Sequence, residues 1–407
     1  MVRFNLITVA AAATVFFAAA SAHPGHSLDE EIAERSAYLK RGVSNLSHCA
    51  EKLQARGHDK RSINRRVAKV QELRDEVLQK RRSLVARQGS ETSSSTAVPT
   101  DISASGSAPS GAAPSGATGA APSGGSGGDA GGGSGANISD FGATVANTSH
   151  ESSLNVTPWT TDYESLIYGN SSCILNPEGE IGPYYVQGEF VRHDITETQP
   201  GVPVYLEEQF INVNTCEPIT SLYADIWHCN STGVYGGVIA NGNGNENDTA
   251  NINATFLRGI QKTDSDGVAA WRTIFPGYYS GRATHIHMVT HMNVTLLAND
   301  TISGGTVRHI GQVFYDQDLI DYINDNVYPY TTNTITLTDN DEDRVFISET
   351  DTDSDPVLNY VLLGEKVEDG LFAWITIGVD PDAEYTTSAA SVLTNEGGYS
   401  TGNTEVV

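Results

Sequence analysis

The segment GYYSGRATHIHM holds the side chains of this sequence that are best suited to metal or acid–base chemistry. It places Tyr278, Tyr279 and Arg282 shortly before His285 and His287. Because alternate residues of a β-strand point to the same side, the two histidines would share one face, with their backbones about 7 Å apart. Both imidazoles could then bind one metal ion, although a polar strand face or two hydrogen-bonded histidines would give the same pattern.

Tyrosines near the histidine pair narrow the choice of metal. Tyr235 follows the strand-like segment YADIWHC, and Tyr278 and Tyr279 follow AWRTIF. A phenolate is a hard, anionic ligand that suits Fe(III), because the charge of the ion lowers the tyrosine pKa from its usual value of about 10. Zinc more often binds cysteine, histidine or carboxylate. No carboxylate adjoins the histidine pair, which disfavours a ferrous site of two histidines and one carboxylate. The residue types therefore favour Fe(III).

The rest of the chain must hold these residues together, and its first part predicts secretion. Residues 1–22 combine Arg3 with the apolar run LITVAAAATVFFAAA and a small-residue cleavage site, as a signal peptide does, a single membrane anchor being the alternative. No later segment is long and apolar enough to span a bilayer. The four cysteines suit disulfides in an oxidising compartment. Ten glycosylation sequons agree with an extracellular location, at Asn45, Asn137, Asn147, Asn155, Asn170, Asn230, Asn247, Asn253, Asn293 and Asn299.

Four further zones follow the signal peptide. Residues 23–88 are basic and repeat apolar residues at helical spacing, which predicts two helices that form a pro-region or an oligomerisation arm and leaves a homodimer open. Residues 89–137 are almost entirely Ser, Gly, Ala, Pro and Thr and predict a disordered linker. Residues 138–385 alternate short β-branched and aromatic runs with turn residues, which predicts an all-β fold, most simply a β-sandwich. Residues 386–407 predict a flexible tail.

Charge excludes one class of partner. The net charge is −26, and almost all of the acidic excess lies after the basic helical zone. Such an acidic body argues against nucleic acid as a partner.

The chain resembles the intradiol ring-cleaving dioxygenases, relatives of the catechol 1,2- and protocatechuate 3,4-dioxygenases, and most closely their secreted, glycosylated members. The resemblance spans roughly residues 170–320. Its motifs are, in order, CILNPEGEIGPYYVQGEFVRHDI, PGVPVYLEEQFINVNTCEP, ADIWHCNSTGVY, TDSDGVAAWRTIFPGYYSGRATHIH and GQVFYDQDL. It implies an Fe(III) oxidoreductase that inserts both atoms of O2 into a small aromatic diol.

The resemblance also implies the metal ligands. By motif position the two tyrosine ligands correspond to Tyr235 and to Tyr279, which ends a T-I-x-P-x-x-Y stretch and is therefore chosen over Tyr278. The two histidine ligands correspond to His285 and His287. In the reaction that the family implies, Tyr279 leaves the iron and takes one substrate proton, while Tyr235 stays bound.

Two more residues are implied as catalytic, and others are left open. Arg282 would stabilise negative charge on the substrate ring, a surface salt bridge being the alternative, and Gln312 corresponds to the family glutamine. Tyr184 and Tyr185 either form a pocket wall or simply pack. Trp227 is expected in the core. Four other histidines are expected to be ordinary polar residues: His193, His228, His291 and His309.

The cysteine spacing suggests a pairing. Cys216 and Cys229 bracket one turn and one strand, so we expect a disulfide between them and a second between Cys49 and Cys173. Four cysteines allow three connectivities, and this pairing is one of them.

The sequence thus predicts a secreted Fe(III) intradiol dioxygenase that cleaves catechol-type diols to muconic-acid type products. The alternative is a non-catalytic secreted β-sandwich module that binds phenolics or cell-wall material through a vestigial metal site. The sequence does not specify which catechol would be the substrate.

Overall fold

The computed structural model of the chain describes most of the residues after the proposed linker and part of the N-terminal zone. The described ranges are 46–92, 138–152, 172–173, 181–240, 242–243, 247–351 and 354–402, without the side chains of 87–92 and 172–173. The proposed signal peptide, most of the proposed linker and four sequons lie outside them, the sequons being those at Asn45, Asn137, Asn155 and Asn170.

Helices are few within these ranges, and strands dominate. The α-helices are α1 (Ala50–Ala55), α2 (His58–Thr92), α3 (Asp140–Ala146), α4 (Gln317–Asn326) and α5 (Arg344–Thr350), and short 3-10 helices cover Ser47–Cys49, Thr249–Asn253, Tyr330–Thr332, Asn340–Glu342 and Val367–Asp369. The strands are β1 (Ser172–Cys173), β2 (Val186–Gln187), β3 (Pro203–Asn212), β4 (Glu217–Pro218), β5 (Tyr223–Trp227), β6 (Arg258–Lys262), β7 (Val268–Ile274), β8 (His285–Met292), β9 (Thr295–Leu296), β10 (Ile302–Ser303), β11 (Thr306–Phe314), β12 (Asn359–Leu362), β13 (Leu371–Val379), β14 (Ser391–Thr394) and β15 (Gly397–Ser400). The part of the chain that the structure describes is therefore β-rich.

Two sheets carry the framework. One has six strands in the order β1-β13-β3-β4, with β12 paired to β13 and β7 paired to β3. The other has four strands in the order β11-β8-β5-β6, and all of its pairs are antiparallel. In the first sheet β13 runs parallel to β3 and β1, so that sheet is mixed.

The main hydrophobic core contains side chains from both sheets. Leu206 of β3 and Ile375 of β13 lie in the same buried cluster as Ile226 of β5, Ile286 of β8 and Val313 of β11. Because successive strand residues point to opposite sides, the neighbours of these residues on β5, β8 and β11 point away from this core. That outward face of the four-stranded sheet is where His285 and His287 lie.

Helix α2 covers the outward face of the six-stranded sheet. Its Val70 and Leu73 pack with Tyr205, Phe372 and Trp374 in a second buried cluster. The helix runs to Thr92, a few residues into the zone that the composition assigns to the linker.

The cysteine pairing differs from the one we expected. Cys49 forms a disulfide with Cys216, and Cys229 is buried and free. The side chain of Cys173 lies outside the described residues. Both expected bridges, Cys216–Cys229 and Cys49–Cys173, are therefore wrong. The segment before α1 packs on the sheet and brings Leu46 into one buried cluster with both cysteines of the actual pair.

The C-terminal segment also differs from expectation. The zone expected as a flexible tail from residue 386 contains β14 and β15, which pair with each other, while β14 also pairs in parallel with β2.

Among the described helices, none combines the length and apolar character that crossing a bilayer requires.

Candidate metal centre

Strand β8 presents the two predicted histidine ligands side by side. His285 and His287 are buried on the face opposite Ile286 and Met288, as the alternation of a strand requires. Their Nε2 atoms lie 2.9 Å apart. The ring of His287 stacks on Trp227 of the neighbouring strand, with ring centroids 5.0 Å apart and an interplanar angle of 4°.

The loop after β5 brings Tyr235 to the same point. Its Oη lies 3.4 Å from Nε2 of His285 and 3.2 Å from Nε2 of His287. The backbone of Tyr235 is held by two asparagine side chains: Asn243 accepts a hydrogen bond from its N–H at 2.8 Å, and Asn251 donates one to its carbonyl at 2.8 Å. The phenol is thus fixed from its own backbone, and it is fully buried.

Arg258 supports the same loop from behind. Its guanidinium donates to the carbonyls of Gly236 and Tyr184 at 2.8 and 2.7 Å, and it lies 5.9 Å from the ring centroid of Tyr235. The side chain is buried, with Glu189 at 3.9 Å. A cation behind the ring favours the phenolate form of Tyr235.

Tyr279 completes the group of predicted ligands. Its ring centroid lies 5.5 Å from that of Tyr235 and 5.7 Å from that of His285. The side chain is buried, and its Oη accepts a hydrogen bond from Nη1 of Arg282 at 3.3 Å. The adjacent Tyr278 instead donates to the carbonyl of Ile335 at 3.0 Å, so the two tyrosines have different surroundings.

Of the two residues implied as catalytic, Arg282 lies beside Tyr279, and Gln312 lies beside Arg282. Arg282 is buried, and its Nη2 donates to Oε1 of Gln312 at 2.5 Å. Gln312 is paired in register with His287 across β11 and β8. The surface salt bridge considered for Arg282 does not occur, since its carboxylate partner, Asp343, is itself completely buried.

The protonation of the site suits a metal. Nδ1 of His285 lies 2.6 Å from the carbonyl of Ala283, which makes Nδ1 the donor and leaves a lone pair on Nε2. Burial, with Arg282 adding to it, lowers the pKa of His285 to about 3. Burial also lowers the pKa of His287 well below its ordinary value, and His285 adds to this effect. Both imidazoles are therefore neutral, the form that binds metals.

The tyrosines need a cation to ionise. Burial raises the pKa of Tyr235 well above its ordinary value. Burial raises the pKa of Tyr279 as well, although Arg282 opposes this. A phenolate at either position thus requires a positive charge beyond those that the protein supplies.

Three of the four predicted donor atoms are spaced as the ligands of one metal ion would be. For metal–nitrogen bonds of about 2.0–2.1 Å, ligand atoms at right angles lie about 3 Å apart. The two Nε2 atoms and Oη of Tyr235 are separated by 2.9 to 3.4 Å. Among the described histidines, cysteines and carboxylates, a different group is also close enough to hold an ion, namely His48, Cys49 and Cys216, but its two cysteines form the disulfide.

The tyrosines left open by the sequence now have definite positions. Tyr184 is buried with its ring centroid 4.7 Å from that of Tyr235 and 5.5 Å from that of Tyr279, so it walls the site. Tyr185 packs on Trp227 at 5.0 Å.

The remaining histidines make contacts elsewhere. His228 lies 2.7 Å from Oγ1 of Thr273, and His193 packs on Tyr205. His291 lies 3.9 Å from Asp225, and His309 is buried on β11.

The sequence did not predict the role of Asp343, nor that of Asn243 and Asn251, which hold the backbone of Tyr235. Asp343 lies 61 positions after Arg282 in an acidic run, and nothing in the local pattern separates it from its exposed neighbours. Asn243 and Asn251 lie in an Asn- and Gly-rich loop whose composition predicts only a turn.

No family model matches the chain, and no curated protein sequence matches it. Solved structures do. An intradiol ring-cleavage dioxygenase from Tetranychus urticae is 26% identical over 53% of this chain and 96% of its own, with a TM-score of 0.42. The dioxygenase domain of a dioxygenase carbohydrate-binding protein fusion from Streptomyces sp. SirexAA-E is 22% identical over 49% and 94%, with a TM-score of 0.32. Catechol 1,2-dioxygenase from Pseudomonas arvilla C-1 is 19% identical over 51% and 63%, with a TM-score of 0.30. The solved structures that this chain resembles thus include intradiol ring-cleavage dioxygenases, the family that the sequence motifs also resemble.

Proposed function

We propose that this protein is a non-haem Fe(III) intradiol dioxygenase that cleaves catechol-type aromatic diols with O2 to muconic-acid type products. The observation that carries the proposal is that Nε2 of His285, Nε2 of His287 and Oη of Tyr235 lie within 3.4 Å of one another. The ring of Tyr279 lies beside that of Tyr235. Two neutral imidazoles and two phenols form a donor set for a hard trivalent ion. Arg282, the remaining part of the motif, adjoins Tyr279.

Each residue has a distinct task in this proposal. Bound Fe(III) would supply the Lewis acidity that makes a catecholate ring carbon reactive toward O2. Tyr279, as the phenolate that bound Fe(III) would stabilise, would accept a substrate proton at Oη, the atom to which Arg282 donates a hydrogen bond. Tyr235 stays in place because Asn243 and Asn251 hold its backbone. Arg282 stabilises the negative charge that develops on the ring.

We also propose a β-sandwich architecture for the domain and secretion of the protein. The two sheets that share the main core would form a β-sandwich, with the N-terminal helices as an arm on one side. The signal-like first 22 residues and the disulfide between Cys49 and Cys216 support secretion.

The test starts with colour and oxygen consumption. Purified protein loaded with iron should be red-brown, because tyrosinate bound to Fe(III) absorbs visible light, and it should consume O2 with catechol, pyrogallol or hydroxyquinol. Tyr279→Phe should weaken the colour and abolish O2 uptake, whereas the matched control Tyr278→Phe should retain both. A colourless iron-loaded protein would overturn the proposal. A coloured protein that consumes no O2 with any of the three diols would favour the non-catalytic binding module.

A further inference from the structure

Asp343 accepts three backbone hydrogen bonds in addition to those from Arg282. It is completely buried and lies at the N-terminus of α5, where its Oδ1 accepts hydrogen bonds from the backbone N–H of Val345 and Phe346 at 2.8 and 3.1 Å. Its Oδ2 accepts a third backbone hydrogen bond, from Ala283 at 2.7 Å. The carboxylate therefore joins α5 to the segment that leads into the predicted histidine ligands.

This carboxylate accepts two hydrogen bonds from one edge of the guanidinium of Arg282. Nε donates to Oδ2 of Asp343 at 2.8 Å, and Nη2 donates to Oδ1 at 3.3 Å. Such a two-point contact fixes the plane of a guanidinium as well as its position. Without the Asp343 carboxylate, the long side chain of Arg282 could rotate about several bonds and would no longer be held in one orientation.

The contact with Asp343 determines which N–H groups of Arg282 remain available to a substrate. A guanidinium has five N–H groups. In Arg282, Nε and Nη2 are used by Asp343 and Gln312, and one N–H of Nη1 is used by Tyr279. The second N–H of Nη1 is left, on the nitrogen that faces Tyr279. If the side chain of Tyr279 turns away from Arg282 during the reaction, both N–H groups of Nη1 become available at one place.

We propose that Asp343 is a positioning residue for the ring-cleaving reaction, which acts by aiming Nη1 of Arg282 at the substrate. This inference rests on the proposed function. Asp343 lies outside the predicted motifs and would act in catalysis entirely through Arg282. Loss of the carboxylate should therefore lower kcat more than it changes KM, since the charge on the ring develops in the transition state.

A double-mutant cycle tests whether the role runs through Arg282. Asp343→Ala in the otherwise unchanged protein should lower kcat about 10–100-fold, the range expected when a catalytic group is misplaced. In an Arg282→Met background the same substitution should change kcat less than about twofold, because the group that Asp343 positions is gone. Equal losses in both backgrounds would mean that Asp343 only supports the fold, and would overturn the inference.

The matched control separates positioning from helix capping. Ser139 caps the neighbouring short helix α3 by accepting a hydrogen bond from Gly142 at 3.0 Å and does not contact Arg282. Ser139→Ala should lower the midpoint of thermal unfolding and leave kcat within about twofold. If its effect on kcat matches that of Asp343→Ala, the loss is general and the inference fails.

A measurement without iron distinguishes this inference from the proposed function. In iron-free protein labelled with [15N]arginine, the Nε–H of Arg282 should exchange slowly with water, and the resonance is identified by its absence in Arg282→Lys. Asp343→Ala should accelerate this exchange at least tenfold. An unchanged exchange rate would overturn the inference. Iron-loaded protein that consumes no O2 would overturn the proposed function instead, and the exchange rate would still show whether Asp343 holds Arg282.

Discussion

Gly182 lies against the imidazole of His287, and a β-carbon built on this glycine would be only 2.7 Å from Cε1 of the ring. The backbone φ of Gly182 is +74°, a conformation that costs other residues about 1–2 kcal/mol. Gly182→Ala should therefore strain the backbone and also displace His287. We expect iron affinity to fall at least tenfold, measured by competition with a chelator.

The control for Gly182→Ala is a glycine with the same strain and open space. Gly304 has a φ of +66°, and a β-carbon there would meet nothing within 4 Å. Gly304→Ala should cost similar backbone energy and leave the iron affinity unchanged. Equal loss of iron in both variants would show that Gly182 acts through general stability and not through His287.

The parts of the site that sequence could predict are those with a local pattern. The alternation of His285 and His287 places them on one strand face, and a motif position distinguishes Tyr279 from Tyr278. No local pattern marks Asp343, because its partner is 61 positions away. The same limit explains the cysteine error: bracketing one strand suggested a neighbour for Cys216, whereas its partner is 167 positions away and arrives with the N-terminal segment. Long-range packing decides both contacts.

His150 should make stability depend on pH above neutrality. It is buried between Asp316 and Asp355, and although burial lowers its pKa, hydrogen bonds to the two carboxylates raise it to about 10. The folded protein thus holds a proton that the unfolded chain releases near pH 6.5. The stabilisation is complete below about pH 6.5 and is lost as pH rises toward 10, by at most about 1.4 kcal/mol per pH unit.

Urea unfolding of His150→Gln at pH 6, 7.5 and 9 checks this dependence. The difference in unfolding free energy between the original protein and the variant should shrink as the pH rises. His193→Gln is the control, because partial burial lowers the pKa of this histidine from 6.5, so its charge should change little between pH 7.5 and 9. A constant difference for His150→Gln across the three pH values would contradict the assignment.

Glu207 and Glu208 are adjacent on β3 and should respond oppositely to neutralisation. Glu208 is completely buried, neither of its oxygens has a hydrogen-bond partner, and burial raises its pKa to about 8. Glu207 is buried too, but Arg65 and Arg66 outweigh the effect of burial and lower its pKa. The folded state therefore favours the neutral form of one carboxyl and the charged form of the other.

Thermal unfolding of the two glutamine variants at pH 5 and 8.5 tests this contrast. A raised pKa in the folded protein means that stability falls as pH rises from about 4.5 to 8, so Glu208→Gln should be more stable than the original protein at pH 8.5 and similar to it at pH 5. A lowered pKa means that the charged form stabilises above about pH 4.5, so Glu207→Gln should be less stable at both pH values. Destabilisation by Glu208→Gln at pH 8.5 would refute the burial of an unpaired carboxyl.

The disulfide should hold the N-terminal helices on the sheet. Cys49 and Cys216 are separated by 167 positions, so breaking the bond frees a long loop in the unfolded chain, at a cost of about 2–5 kcal/mol. Leu46 and Leu53 pack with Ile211 beside this bond, so the double variant Cys49→Ala/Cys216→Ala should also expose the helices to trypsin. We expect cleavage within α1 and α2 at least tenfold faster than in the original protein, followed by mass spectrometry, whereas Cys229→Ala should leave that rate unchanged because Cys229 forms no disulfide. Equal cleavage rates in the double variant and the original protein would mean that the packing of α2 on the sheet suffices without the covalent bond.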